Sequence, residues 1–263
     1  MKKFVVIGNP IEHSLSPTLH NYWIKSNGID AIYEKQKLDE GELEQVILQI
    51  RKKKIDGVNV TVPFKKVIIP FLDELSVEAE NTQSVNTLYL KDNKVIGHNT
   101  DIFGFETSME ISEYNVFNKE VLILGAGGVV PSIIFALNKM KASKIKISNR
   151  TKEKAENLKK LFKDIEIKEW GEVPNFDMII NATSLGLKKE DKINLDFSLI
   201  SKNGFFYDVI YNPRETNFLK TGKSLGSTTL NGKLMFIYQA HSAFNIWHGI
   251  EPQVNEYVLK FLD

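Results

Sequence analysis

The sequence predicts an α/β fold in which short buried strands alternate with helices. Short apolar runs such as Phe4–Ile7 and Val121–Leu124 are each closed by glycine, a pattern typical of buried strands. Residues 40–54 instead carry apolar side chains at the spacing of one helix face. A third observation is the run Gly125-Ala126-Gly127-Gly128, which directly follows the apolar residues 121–124. This alternation indicates a mostly parallel sheet of βα units.

The amino-terminal part predicts strands at residues 4–7, 32–37, 56–60, 87–89 and 95–97. The last two flank Asp92-Asn93, a pair typical of a tight hairpin turn. Helices are predicted at residues 16–27, at residues 40–54 and after Phe64. In the first of these, Ser16 is expected as the N-cap and Pro17 as the first helical residue.

From residue 101 onward, the sequence predicts a connecting helix and then a second series of strands and helices. The helices lie at residues 101–113, 234–247 and 251–262, with a further helix after the glycine run, and the strands at 121–124, 144–148, 177–181 and 205–208. We expect the last two helices to return and pack on the first domain.

Composition restricts the class of protein. The 263 residues suffice for one large or two small domains, and 42% of them are hydrophobic. A net charge of +1 argues against a nucleic-acid-binding surface. The chain has no cysteine, and His13, His20 and His98 lack the spacing of metal ligands, so we expect no metal. Neither a signal peptide nor a membrane span of ~20 apolar residues is present, which favours the cytoplasm.

The glycine run predicts a dinucleotide site. Glycines allow a tight turn against a pyrophosphate, and the following helix offers N–H groups to it. Arg150 stands ~20 residues later, where NAD-binding folds carry an acid, and a cation suits the 2′-phosphate of NADP. Lys152 and Lys154 add positive charge to a helix that we expect Thr151 to cap. The alternative is a glycine-rich turn in an ordinary α/β domain with a surface arginine.

Polar residues after the strand ends are the candidates for catalysis. Lys65 and Asp101 could hold and exchange a proton at a reacting oxygen, as a dehydrogenase requires. The alternatives are a solvated lysine and an aspartate that only caps its helix. Ser14 and Ser16 precede a helix and could bind a carboxylate. Alternatively, Ser16 only caps the helix and Ser14 only forms a turn.

These residues closely resemble the motifs of the shikimate dehydrogenase family. The match runs in order from residue 4 to at least residue 239. Its motifs are Gly8-Asn9-Pro10 to Ser14-Leu15-Ser16-Pro17 with His20-Asn21, Asn59-Val60-Thr61-Val62-Pro63-Phe64-Lys65, Val85-Asn86-Thr87, Gly97-His98-Asn99-Thr100-Asp101, Gly125-Ala126-Gly127-Gly128, Asn149-Arg150-Thr151, Asn181-Ala182-Thr183, Asp208-Val209-Ile210-Tyr211 with Pro213, and Gly232-Lys233-Leu234-Met235 with Gln239.

The resemblance implies reversible NADPH-dependent reduction of 3-dehydroshikimate to shikimate, in the pathway to chorismate and the aromatic amino acids. It implies an α/β substrate domain of residues 1–101 and 237–263, with a Rossmann-type NADP domain of residues 102–236 between them. Lys65 and Asp101 would be catalytic. The substrate would be bound by Ser14, Ser16, Thr61, Asn86, Tyr211 and Gln239. The cofactor would be bound by Gly125, Ala126, Gly127, Gly128, Val129, Asn149, Arg150, Thr151, Lys154, Thr183, Val209 and Gly232.

The chain departs from the family pattern after the third glycine. Val129 and Val130 stand where small residues are usual, and Pro131 follows them in the first helical turn, where proline is tolerated. Val130 takes the place of a Gly or Ala that permits close helix–strand packing. An NAD-using quinate/shikimate dehydrogenase is the alternative enzyme, which Arg150 and Ser16 argue against. A non-catalytic sensor would lack Lys65 or Asp101. We expect a small-molecule substrate and a monomer or homodimer.

Overall fold

The computed structural model describes residues 1–260, apart from the side chains of residues 201 and 202. The chain forms two compact units. Unit 1 consists of Met1–Gly104 and Ile237–Val258, and unit 2 consists of Phe105–Phe236 together with Leu259 and Lys260. Unit 2 is therefore formed almost entirely by one continuous segment, whereas unit 1 is assembled from two.

Each unit contains a six-stranded sheet. The strands are β1 (Lys2–Gly8), β2 (Ala31–Lys37), β3 (Gly57–Val60), β4 (Glu74–Leu75), β5 (Thr87–Lys91), β6 (Lys94–His98), β7 (Glu120–Leu124), β8 (Lys144–Ser148), β9 (Glu166–Lys168), β10 (Phe176–Asn181), β11 (Ile200–Asp208) and β12 (Thr228–Asn231). The helices are α1 (Ser16–Ser26), α2 (Leu43–Arg51), α3 (Val77–Thr82), α4 (Asp101–Ile111), α5 (Val130–Lys139), α6 (Lys152–Leu161), α7 (Asn217–Ser224), α8 (Lys233–His248) and α9 (Glu256–Lys260).

The sheet of unit 1 has the strand order β2-β1-β3-β5-β6-β4. Strand β1 runs parallel to both neighbours, and β5 and β6 form the antiparallel hairpin that Asp92-Asn93 predicted. Both turn residues have positive φ, 50° and 63°, as a tight hairpin turn of this kind requires.

Helix α8 packs on this sheet through Trp247. The indole covers Gly57 so closely that a Cβ there would lie 2.4 Å from Nε1. Nε1 donates a hydrogen bond to the carbonyl of Leu88 at 3.0 Å, and the ring centroid lies 5.1 Å from that of Phe4. The predicted return of the late helix to the first domain is therefore observed for α8.

The sheet of unit 2 is entirely parallel and has the strand order β9-β8-β7-β10-β11-β12. Numbered within the unit, this is 3-2-1-4-5-6, the order of doubly wound dinucleotide-binding sheets. Strand order reverses between β7 and β10, and ligands of such sheets bind outside the carboxyl ends of the strands at this point. The predicted fold class is confirmed.

Three helix predictions were wrong in extent or in kind. Residues 62–68 form turns, followed by a 3₁₀ helix at Ile69–Phe71, instead of the helix expected after Phe64. The Lys65 carbonyl accepts from the Val85 amide, so the carbonyl that a continuing helix would use is paired with another segment. The helix expected at residues 40–54 is divided into a 3₁₀ turn and the shorter α2. The helix expected from residue 251 begins at Glu256, beyond Pro252, which lacks an N–H; its expected end at residue 262 lies outside the described residues.

The capping predictions also need correction. Leu15 occupies the N-cap of α1, and Ser16 is its first residue, so Ser16 does not cap the helix. Thr151 does lie at the N-cap of α6, but its side chain makes no capping hydrogen bond. Across residues 1–260, no helix is long and apolar enough to cross a membrane.

Candidate active site

Lys65 and Asp101 form a shielded ion pair in unit 1. Lys65 lies in the turns after β3, and Asp101 is the first residue of α4. The Lys65 Nζ lies 2.6 Å from Asp101 Oδ2, and the two side chains are only 12% and 7% exposed. A solvated lysine is thereby excluded, and the two candidate proton-transfer groups are in direct contact.

Asn86 fixes Asp101 from the other side. Its Nδ2 donates to Asp101 Oδ1 and to Thr100 Oγ1, each at 2.9 Å, and lies 3.5 Å from Gln239 Oε1. Its Oδ1 accepts from the Thr100 amide at 2.8 Å, while the Asp101 amide donates to Asn99 Oδ1 at 3.0 Å. The carboxylate is thus held rigidly, and two of the predicted substrate residues lie beside it.

A buried polar chain connects this pair to the predicted carboxylate-binding serines. Asn59 donates to the carbonyl of Asn86 at 3.0 Å, and its Oδ1 accepts from the Tyr33 hydroxyl at 2.6 Å. The Tyr33 hydroxyl in turn contacts Ser16, and burial raises the pKa of Tyr33 well above its usual value, so it stays protonated. Sequence reasoning missed Tyr33, because a tyrosine within a strand carries no local signal of such a role.

The other two predicted substrate residues of the amino-terminal segment lie at neighbouring turns. Ser14 Oγ accepts from the Ser16 amide at 3.4 Å. Thr61 follows β3 and packs against Gly8 at the end of β1, where a Cβ would lie 2.5 Å from the threonine methyl. Across residues 1–260, no cluster of three or more potential metal ligands occurs.

In unit 2 the glycine turn follows β7, at the reversal of strand order. Gly125 has φ +110°, and a Cβ there would lie 2.7 Å from the carbonyl oxygen of Ala182, so only glycine fits. Gly127 and Gly128 are exposed, and no side chain caps α5 after them. An open glycine turn leading to an uncapped helix N-terminus fits a pyrophosphate. Val130 and Pro131 are both buried in the first turn of α5, where proline needs no N–H partner.

Arg150 lies just beyond β8 and is exposed. Asn149 donates to the Thr151 carbonyl at 2.7 Å, which shapes the turn between β8 and α6. Lys152 is paired with Glu169 at 2.5 Å. Sequence reasoning missed Glu169, because only the sheet order places the residue that follows β9 next to the end of β8.

The remaining predicted residues of this unit lie on two loops, after β10 and after β11. Thr183 donates to Asn181 Oδ1 at 2.7 Å. Val209 packs against Gly232, where a Cβ would lie 2.1 Å from the valine carbonyl oxygen. Tyr211 is half-buried and stacks on Phe236 with centroids 4.6 Å apart.

A doubly wound sheet with this glycine turn, together with a shielded lysine–aspartate pair, defines a dinucleotide-dependent oxidoreductase. Residues 6–88 match the model of the shikimate dehydrogenase substrate binding domain, and residues 107–215 match that of shikimate / quinate 5-dehydrogenase. The chain belongs to the shikimate dehydrogenase family.

Individual relatives agree over the whole chain. The chain is 64% identical over 262 residues to a shikimate dehydrogenase (NADP(+)) of Pelagibacter ubique, covering 100% of this chain and 99% of the relative. A shikimate 5-dehydrogenase of Thermus thermophilus, solved with NADP(H) and shikimate, is 30% identical with a TM-score of 0.88, and the match covers 96% of this chain and 95% of that structure. The shikimate 5-dehydrogenase of Listeria monocytogenes, solved with shikimate and NAD, is 28% identical with a TM-score of 0.89, and the match covers 100% of this chain and 96% of that structure.

Proposed function

We propose that this chain catalyses the reversible NADPH-dependent reduction of 3-dehydroshikimate to shikimate, a step of aromatic amino-acid biosynthesis. The observation that carries the proposal is the 2.6 Å contact between the shielded Lys65 and Asp101. Reduction of a ketone requires a hydride at carbon and a proton at oxygen. The cofactor, when bound, supplies the hydride, and the lysine–aspartate pair handles the proton.

Lys65 donates a proton to the carbonyl oxygen during reduction and takes one from the hydroxyl during oxidation. Asp101 accepts a hydrogen bond from the lysine ammonium and so directs it. Asn86 holds the second carboxylate oxygen at 2.9 Å, which keeps the carboxylate from turning away. Such fixed geometry lowers the reorganisation that proton transfer would otherwise require.

Ser14 and Ser16 hold the substrate carboxylate, and the remaining polar groups orient the ring. Thr61, Asn86 and Gln239 are the candidates in unit 1. Tyr211 is the candidate in unit 2, where burial raises its pKa to about 12 and keeps its hydroxyl a hydrogen-bond donor at neutral pH.

NADP is the cofactor of this proposal. The glycine turn Gly125, Ala126, Gly127 and Gly128 receives the pyrophosphate, with Val129 at the N-cap of α5. Arg150 holds the 2′-phosphate with help from Asn149, Thr151 and Lys154, while Thr183, Val209 and Gly232 line the dinucleotide from the later loops. The exposed guanidinium of Arg150 supports this choice because it can bond a phosphate bidentately.

The domain roles and cellular setting belong to the same proposal. Residues 1–101 and 237–263 form the substrate domain and residues 102–236 the NADP domain, a division supported by the two compact units. The enzyme works in the cytoplasm as a monomer or homodimer, which sedimentation of the purified protein distinguishes.

Substitution of the proton-transfer pair tests the proposal. Lys65→Ala and Asp101→Asn should each lower kcat by ~10²–10⁴-fold, the usual contribution of a general acid–base group. The double variant should lose less than the product of the two effects, because the residues act as a unit. Lys66→Ala is the matched control, since Lys66 is adjacent but exposed, and should keep normal turnover.

The assay follows the absorbance of the reduced cofactor formed from NADP or NAD with shikimate or quinate. Turnover of shikimate with NADP supports the proposal, and equal turnover with NAD and quinate would favour the alternative enzyme. If no pairing of cofactor and substrate produces reduced cofactor, a non-catalytic sensor is favoured. A kcat near that of wild type in Lys65→Ala would remove this lysine from the mechanism.

A further inference from the structure

Asp208 is a buried carboxylate in unit 2 that the reaction described above does not use. It ends β11 and has no exposed surface. Its Oδ1 accepts from the Ile210 amide and from Asn181 Nδ2, both at 3.0 Å, and its Oδ2 accepts from Thr216 Oγ1 at 2.5 Å. All three donors are neutral, so the carboxylate has contacts on both oxygens but no countercharge among them.

These hydrogen bonds tie together the two loops that follow β10 and β11. Asn181 also donates to the Leu185 carbonyl at 3.0 Å and accepts from the Thr183 amide at 3.1 Å, which shapes residues 181–185. Thr216 caps α7 by accepting from the Leu219 amide at 3.3 Å, which fixes the far end of residues 208–216. A single carboxylate therefore holds both loops.

The two loops carry Thr183, Val209 and Tyr211, three of the residues assigned above to cofactor or substrate. The hydrogen bonds to the carboxylate come instead from Asn181, Ile210 and Thr216. Val209 is nevertheless confined between Asp208 and Gly232, and its amide donates to the Asn181 carbonyl at 3.0 Å. The position of these residues thus depends on the contacts made by Asp208.

We propose that Asp208 is a positioning residue for dinucleotide binding, which acts by holding the loops 181–185 and 208–216 through Asn181 and Thr216. This inference rests on the proposed function, since it deepens the account of the same cofactor site. The role requires an ionised carboxylate, because all three neighbours donate hydrogen bonds to it.

The surroundings of Asp208 define the pH at which this role is lost. Burial raises the pKa of Asp208 to about 6, opposed by its three hydrogen bonds. The titratable group before it on β11 is Tyr207, whose hydroxyl faces Ser108 of α4 at 3.3 Å. The neighbouring β12 presents Asn231 in register. The charged residues of the flanking segments are Arg214 and Glu215, which precede α7, and Lys233, which begins α8. Glu215 pairs with Lys223.

The test compares wild type with Asp208→Asn. The KM for NADP and the Kd for NADPH, the latter by direct titration without substrate, are measured from pH 5.5 to 8. In wild type both constants should rise as the pH falls through about 6, because the carboxylate becomes protonated. Asp208→Asn is neutral at every pH, so its constants should be raised about tenfold at pH 8, consistent with loss of a hydrogen bond to a charged group.

Three controls isolate the effect. The 2′-phosphate itself titrates near pH 6, so the same constants are measured with NAD and NADH, which lack it. Asp196→Asn removes an exposed turn-forming carboxylate of the same unit and should leave both constants unchanged. Thr216→Val should raise KM, and Thr216→Ser should restore it to within twofold, because serine keeps the donating hydroxyl.

The outcomes separate this inference from the proposed function. If wild type binds dinucleotide without oxidising shikimate, the proposed function fails, while the titrations still test Asp208. A positioning role also predicts that Asp208→Asn has a kcat at saturating cofactor within about threefold of wild type. Thermal unfolding of the variant checks that its fold is intact. Wild-type affinity in Asp208→Asn at pH 8, or the same pH dependence in both proteins, would overturn the inference.

Discussion

Acidification is expected to destabilise unit 1 through His20. This side chain is 1% exposed, and its ring stacks on Tyr33 with centroids 4.2 Å apart and planes 5° from parallel. In the described part of the chain, neither ring nitrogen has a hydrogen-bond partner. Burial, assisted by His248, lowers the pKa of His20 to about 3. The folded protein therefore keeps this imidazole neutral well below the pH at which an unfolded chain would protonate it.

The sign and size follow from proton linkage. In the unfolded chain the histidine has a pKa near 6.5 and binds a proton, whereas in the folded protein it stays neutral. The free energy of unfolding therefore decreases as the pH falls below 6.5 towards 3. Each pH unit in this window is worth about 1.4 kcal/mol, which gives ~2 kcal/mol at pH 5. Burial also lowers the pKa of His248, to about 4, and this acts in the same direction but is reduced by its partial exposure to solvent.

The assay is urea unfolding at pH 7.5 and pH 5.0, followed by tryptophan fluorescence. Trp23 and Trp247 lie in unit 1, whereas Trp170 lies in unit 2, so the comparison is made in a Trp170→Phe background. His20→Phe keeps an aromatic ring without the titrating group, so its loss of stability between the two pH values should be ~2 kcal/mol smaller than that of wild type. His13→Gln, at an exposed position, should behave as wild type. An equal acid loss in His20→Phe and wild type would refute this reasoning.

Two further predictions concern the ligands. Ser16→Ala should raise KM for shikimate about tenfold with little change in kcat, because a hydrogen bond to a charged group is worth ~1.5–3 kcal/mol and is similar in ground and transition states. Ser16 also contacts the buried Tyr33 hydroxyl, so thermal unfolding is measured alongside, and an unaltered KM would place the carboxylate elsewhere. Arg150→Ala should lower kcat/KM for NADP by about 30- to 1,000-fold and leave NAD nearly unchanged, as expected for loss of a bidentate phosphate contact. Equal kcat/KM for the two cofactors in wild type would contradict that assignment.

Local pattern sufficed for much of the fold. Apolar runs closed by Gly, Pro or polar residues located the main strands, and Asp92-Asn93 marked the hairpin because its backbone needs positive φ. Lys65 and Asp101 were found because polar groups that follow strands gather at one edge of a sheet. Their 2.6 Å contact agrees with that reasoning, although the chain separates them by 36 residues.

The missing helix after Phe64 and two of the missed contacts share a physical cause, which is pairing between distant segments. Phe64 and Lys65 begin a helix-like pattern, but the Val85 amide donates to the Lys65 carbonyl, which a helix would use for its own hydrogen bond. Glu169 reaches Lys152 only because β9 lies beside β8. Thr216, at the N-cap of α7, donates to Asp208, and no spacing in the sequence predicts that hydrogen bond.

The contact of Trp247 with Gly57 and Leu88 has a consequence for synthesis on the ribosome. Every residue of the continuous segment Phe105–Phe236 leaves the ribosome before Trp247 does. The sheet of unit 1 is made earlier still, yet the surface over Gly57 stays uncovered until α8 arrives. The sheet of unit 1, although translated first, is thus covered by α8 only after strands β7 to β12 have been made, which differs from the usual amino-terminal-first order of domain folding.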